Sequence, residues 1–162
     1  MQTGTIMDTV NLYKTFLMKK IFFTLITLFF LCASYAQILN PVKFGYSASK
    51  KGNNLYEVHI KTLLEPRWHI YSTKNPDGGA EPTVIKVKDG SAVGAVKENG
   101  KLKVVYDKEF KADQKYYENS VDFVQLVKLN SGAKKIGGTI VYMVCNDKQC
   151  LPPKEVEFKI NL

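Results

Sequence analysis

The chain has 162 residues and carries 23 basic against 15 acidic side chains, a formal net charge of +8, with 45% hydrophobic residues. The length suits one domain that buries a modest core, with little room for a second. Nucleic-acid binding is disfavoured, because the positive charges are scattered lysines with one arginine, Arg67, and form no basic stripe.

Residues 1–17 are polar and unpatterned, and are read as a mis-called start or an unstructured extension, with Met18 as the true first residue. Residues 18–36 carry the marks of an export signal. Met18-Lys19-Lys20 is a basic start, Ile21 to Leu31 is an apolar run broken by Thr24 and Thr27, and Ser34-Tyr35-Ala36 places small residues before a cut at Gln37. The apolar run is short for a membrane span, so cleavage is expected rather than a retained anchor or other membrane insertion. Bulky Phe30 and Leu31 before Cys32 speak against lipid attachment at that cysteine. The remaining domain, 37–162, has 20 basic and 14 acidic residues, and its only cysteines are Cys145 and Cys150. Export places them in an oxidising compartment, the periplasm on this reading.

From residue 37 onward the pattern is that of strands. Leu55 to Leu63 alternates, with Tyr56, Val58, Ile60 and Thr62 on one face, and Gly52-Asn53-Asn54 turns it back on Phe44 to Ala48. Trp68 to Tyr71 and Thr83 to Val87 are short strands around a loop rich in proline and glycine. Asn99-Gly100 predicts a tight hairpin between two further strands. Val121 to Leu129 alternates again, Ile136 to Cys145 is apolar enough for one central strand, and Val156 to Leu162 closes the sheet. No window shows a helical period. The expectation is an all-β, immunoglobulin-like antiparallel sandwich, monomeric.

The chemistry centres on Cys145-Asn146-Asp147-Lys148-Gln149-Cys150-Leu151-Pro152-Pro153. A four-residue connection brings the two cysteines within bridging range. On the chain-entropy estimate so short a loop contributes only about 2 kcal/mol. The bond therefore reads either as an ordinary stabilising disulfide or as one that opens and closes in exchange. Lys148 favours a thiolate electrostatically. Pro152 and Pro153 fix an extended chain and remove two donors, which keeps the segment out of a central strand. Cys-x-x-Cys spacing is absent. A zinc site is not expected, because His59 and His69 are the only histidines and fall on different strands. No phosphate loop or hydrolytic triad stands out, and no cofactor is expected.

Trp68-His69-Ile70-Tyr71, Asn75-Pro76 and above all Val141 to Pro153 resemble the N-terminal periplasmic domain of the thiol:disulfide interchange protein DsbD, over essentially all of 38–162. The resemblance implies an immunoglobulin-like sandwich acting as a thiol:disulfide oxidoreductase of the protein-disulfide reductase type. Its cysteine pair would take electrons from a membrane-embedded thiol reductase and pass them to thioredoxin-fold proteins, a setting shared with cytochrome c maturation. It further implies Cys150 as the attacking thiol, Cys145 as the resolver, and a cap loop over the pair. Tyr106-Asp107-Lys108-Glu109-Phe110 is similar to that cap, with Phe110 as the shield and Asp107 or Glu109 tuning proton transfer. Trp68 and Tyr71 are candidates for the pocket wall. The loop here is one residue shorter than in the best-known members, and the membrane-spanning and thioredoxin-like parts are absent from this chain. The competing reading is a non-catalytic immunoglobulin-like binding module with a structural disulfide.

Overall fold

The computed structural model describes residues 13–24, 39–108 and 110–162. Contacts divide the chain into two units, 1–39 and 40–162. In the first, residues 13–24 are helical, and no described helix is long and apolar enough to cross a membrane. The end of the predicted signal, with Cys32 and the Ser34-Tyr35-Ala36 cut, lies outside the described residues.

The second unit is an antiparallel sandwich, as the alternation predicts. Its described strands are β1 (Val42–Gly52), β2 (Leu55–Leu64), β3 (His69–Tyr71), β4 (Val84–Val87), β5 (Gly90–Asp107), β6 (Ala112–Leu129), β7 (Lys135–Tyr142), β8 (Val144–Cys145) and β9 (Lys154–Asn161). One sheet runs β1-β2-β6-β3-β8 with β5 also on β6, and the other runs β4-β7-β9. The core lies between them. Ile60, Phe123 and Val127 from the larger sheet pack in one cluster with Ile136, Ile140 and Phe158 from the smaller. Fully burying side chains of this size stabilises by about 1.5–3 kcal/mol each, which is why the alternating strands settle with these faces inward.

The organising element is β6, 18 residues long. Its C-terminal half pairs with β2, from Leu55↔Lys128 to Leu63↔Ser120, and its N-terminal half pairs with β3, from His69↔Glu118 to Tyr71↔Tyr116. Between the halves Asn119 takes a φ of 62°. Along its other edge β6 pairs with β5 throughout.

Two expectations are corrected here. Asn99-Gly100 is not a hairpin turn, because the segments on both sides of it pair with the same long strand β6, and the register shifts between Gly100 and Leu102. A tight turn of the predicted type needs positive φ at both central residues, and neither Asn99 nor Gly100 has it. Glycine is required there for space: a Cβ on Gly100 would come within 2.9 Å of the Tyr117 ring. The true β5-β6 hairpin turns between Asp107 and Ala112, the segment predicted as a cap. The second correction concerns Ile136 to Cys145, which is two strands. β7 lies between β4 and β9, the centre predicted for it, but the chain leaves that sheet at Tyr142 and enters the other as β8, with Ile70↔Val144 and His69↔Cys145. One continuous apolar run thus serves two sheets, both facing one core.

Candidate functional site

Cys145 and Cys150 form a disulfide with their α-carbons 4.0 Å apart. The local sequence explains how so few residues turn the chain. Asn146 N–H donates to the Gln149 carbonyl at 2.9 Å, and Leu151 N–H donates to the Val144 carbonyl at 2.9 Å. The Asn146 side-chain oxygen accepts from the backbone N–H of Lys148 and of Gln149, both at 2.9 Å. This is the self-capping turn that asparagine favours. The disulfide therefore ties the two arms of a miniature hairpin hanging from β3 through β8.

The two cysteines differ in access. Cys145, clamped into the sheet, is 2% exposed, whereas Cys150 is exposed on the outer arm. Beside them opens a cleft of about 520 Å³ that both cysteines line together with His69, Tyr71, Tyr116 and Phe110. Phe110 stands in the hairpin tip between β5 and β6 and packs, with Tyr116 and Met143, against the buried cluster of Tyr71, Ala80 and Cys145. Asp107 holds that tip in shape by accepting the Phe110 N–H at 3.2 Å. The aromatic wall is continuous. Tyr71 and Tyr116 sit edge to face at 6.3 Å, and the His69 ring lies 4.3 Å from that of Tyr116. Burial, reinforced by the negative charge of Asp107 and by Tyr116, pushes the Tyr71 hydroxyl up to about 12, so it stays protonated and neutral.

Behind this wall the loop from Ser72 to Thr83 is fastened by buried polar groups. Asn75 Nδ2 donates to the Ala80 carbonyl at 2.7 Å and to Gln114 Oε1 at 2.9 Å, and its own oxygen accepts from Lys115 N–H at 2.7 Å. Ala80 N–H donates to the same Gln114 oxygen at 3.1 Å. These bonds carry Ala80 to the disulfide. A second clamp is the half-buried Glu98 on β5. Its carboxylate accepts from Ser72 Oγ at 2.7 Å, from Thr73 N–H at 2.7 Å and from the Tyr117 hydroxyl at 2.6 Å, with Thr73 Oγ1 as a further donor. Burial pushes its pKa up, but the hydrogen bonds from Thr73, Tyr117 and Ser72 together outweigh burial and hold it below the ordinary glutamate value.

The site residues read from sequence thus fall into two groups. Cys145, Cys150, Tyr71, Asp107, Phe110 and Lys148 line one cleft. Trp68 does not: it is buried in the main core and borders a smaller groove of about 90 Å³ with Asp147 and Lys148. Pro152 is exposed on the segment between the disulfide hairpin and β9. Glu109 lies outside the described residues. Gln114, Tyr116 and Glu98 were not singled out from sequence, because a polar residue or tyrosine on an alternating strand carries no mark of the loop or cleft it faces. His69 does carry a signal, two residues before Tyr71 on the same strand face, apart from its chemistry as a metal ligand.

A family model described as the N-terminal part of the thiol:disulfide interchange protein DsbD matches residues 36–162. Among solved structures, the N-terminal periplasmic domain of ScsB from Proteus mirabilis superposes with a TM-score of 0.60 at 13% identity, covering 77% of this chain and 48% of that one. The present chain thus spans about half the length of that structure. The reduced N-terminal domain of DsbD from Neisseria meningitidis gives 0.56 at 17% identity, covering 80% of this chain and 94% of that one. A complex of the DsbD and PilB N-terminal domains from the same organism gives 0.53 at 15% identity, covering 76% and 87%. At these identities the structural likeness is one of fold, the immunoglobulin-like sandwich. No curated protein matches the sequence.

Proposed function

Because the chain belongs to the family of DsbD N-terminal domains, we propose that it is an exported thiol–disulfide exchange module that relays reducing equivalents through Cys145 and Cys150. Electrons enter from a membrane-embedded thiol reductase and leave to thioredoxin-fold proteins of the periplasm. The disulfide is the redox group, and no cofactor takes part. The observation that carries this reading is the asymmetry of the pair: one sulfur-bearing residue is locked into the sheet, the other stands exposed, and a phenylalanine packs against the buried member.

In the reduced protein the exposed Cys150 thiolate attacks a partner disulfide and forms a mixed disulfide. Cys145 then attacks Cys150, closes the intramolecular bond and releases the partner as a dithiol. Opening and closing this bond costs the fold little. The loop it closes is short, worth about 2 kcal/mol, and the main core between the sheets does not include it. The complex of the Neisseria DsbD domain with the PilB N-terminal domain supports a protein as the exchange partner.

The test is a reduction potential measured against glutathione or a thioredoxin-fold protein, with circular dichroism of the reduced form. A potential in the range of thioredoxin-like partners and an intact sheet signal are expected. Unfolding on reduction, or a potential below about −300 mV, identifies a structural disulfide in a non-catalytic binding module instead. Cys145→Ala should accumulate mixed disulfides through Cys150; trapping solely in Cys150→Ala reverses the roles.

A further inference from the structure

The buried member of the pair has a chemical difficulty. Resolution of the mixed disulfide needs Cys145 as a thiolate, yet Cys145 is 2% exposed, and burial in apolar surroundings raises a thiol pKa. Bulk water is poorly placed to take its proton, so the base should be a neighbouring side chain.

Only a few groups stand beside it. His69 is the direct cross-strand partner of Cys145 in the β3-β8 pair. Side chains at such positions project on the same face with Cβ atoms about 4.5–5.5 Å apart. Both residues line the cleft. Tyr71, two residues along the same face, is protonated up to about pH 12 and is no base near neutrality. Asp107 also lines the cleft, but it stands at the β5-β6 hairpin tip and not on the strand paired with Cys145, and one of its oxygens accepts the Phe110 N–H. Across β3 from Cys145 the next residue in the row is Glu118, the β6 partner of His69, and it pairs with Lys103 of β5 at 2.7 Å. Asp147 and Lys148 in the cysteine loop also line the cleft, and Lys148 as a cation can favour a thiolate but accept no proton. The imidazole itself is held in place by packing, tilted, against the Tyr116 ring and by the Tyr71 hydroxyl, 3.2 Å from Nε2.

We propose that His69 is the proton acceptor for Cys145: the imidazole takes the thiol proton as Cys145 attacks the mixed disulfide, and returns it to the departing partner sulfur or to water. The inference rests on the exchange reading above. The Cys145 Sγ–H bond breaks and its proton passes to a ring nitrogen. The sulfur electron pair forms the bond to Cys150 Sγ, the bond from Cys150 to the partner sulfur breaks, and its electron pair leaves with the partner. The cysteine pair is oxidised to the disulfide, and the partner disulfide is reduced to a dithiol.

Burial keeps the ring unprotonated at rest, and it also makes the ring a weaker base, which the charge of the neighbouring thiolate offsets. Burial holds the His69 pKa below the ordinary histidine value, and Lys103 works in the same direction while Glu118 and Asp147 oppose, so the ring is neutral and able to accept at neutral pH. Once protonated it sits next to the thiolate it has generated and stabilises that charge.

The test uses the full chain carrying Cys32→Ser and Cys150→Ser, which leaves Cys145 as the sole thiol. Thiolate ultraviolet absorbance is followed against pH with His69 present and in His69→Gln and His69→Phe. With His69 the thiol and imidazole should titrate as a coupled pair. Without it the thiol should titrate in one step at higher pH, leaving roughly tenfold less thiolate at neutral pH. Superimposable curves overturn the proposal. Should both variants unfold, the ring pKa of His69 measured by NMR in oxidised and in reduced unsubstituted protein decides: different values in the two states are expected, and identical values refute it. Loss of exchange with a thioredoxin-fold protein would instead refute the relay, and would leave the coupling between His69 and Cys145 measurable.

Discussion

Phe110→Ala should make the disulfide markedly easier to attack. The ring sits in the β5-β6 hairpin tip and packs on the cluster of Tyr71, Ala80 and Cys145, apart from the core between the sheets. A fully buried phenylalanine is worth about 1.5–3 kcal/mol of transfer energy. Phe110 is only half-buried, so its contact with the cluster should be worth about 1–2 kcal/mol. If attack requires the tip to lift, that contact sets how rarely the open form occurs, and deleting it should raise the rate by roughly 5- to 30-fold. The assay is the pseudo-first-order rate of disulfide reduction by excess dithiothreitol, alongside alkylation of the reduced pair. Val104→Ala, which removes an exposed side chain from the same strand, serves as the control and should leave both rates unchanged. Global stability should fall by no more than the contact itself. An unchanged reduction rate in Phe110→Ala would remove the phenylalanine from the site and end the argument for a cap.

Glu98→Gln should destabilise by about 2–3 kcal/mol in urea unfolding, since hydrogen bonds to a charged acceptor are each worth about 1.5–3 and the glutamine keeps some of them. The pH dependence follows with a definite sign. The folded pKa of Glu98 is lowered, so its contribution is present above the unfolded value of about 4.3 and is lost as pH falls through the lower folded value. Acid-side stability profiles of the two proteins should therefore converge below that window, and parallel profiles would contradict the assignment. Gly79→Ala should cost about 1–3 kcal/mol, because a Cβ there would lie 2.3 Å from the Gln114 amide nitrogen, whose side chain is already tied to Asn75 and Ala80. Ile140→Ala, in the centre of the core, should cost about 2–5 kcal/mol by thermal or urea unfolding and leave the dithiothreitol rate at low temperature nearly unchanged.

The all-β class was legible in the sequence because strand alternation is a local property. Val58, Ile60 and Thr62 are buried where the pattern puts them, and so are Val121, Phe123, Val127 and Leu129. The failures came where local signals are shared by more than one structure. Asn-Gly marks a hairpin turn, but a glycine is equally what a strand needs where it bulges past a tyrosine ring, and only the pairing of both flanks with β6 separates the two. A continuous apolar run marks a buried segment without saying that it passes from one sheet to the other at Met143. The first half of β6 has no clear strand signal, because Tyr116, Tyr117 and Glu118 break the alternation where the strand changes neighbours.

The cysteine pair, its short loop and the phenylalanine three residues after Asp107 were set by the order of residues alone, since backbone reach limits how far a four-residue connection can stretch and which side chains lie near each other along the chain. Which cysteine is buried, and what surrounds it, was decided by the fold. Crossing to the other sheet places Cys145 opposite His69, and the length of β5 and β6 carries Phe110 over a disulfide some 35 positions away in sequence. Those contacts join segments with no local signal for one another, so they exist only once the core between the two sheets has fixed the strands in register.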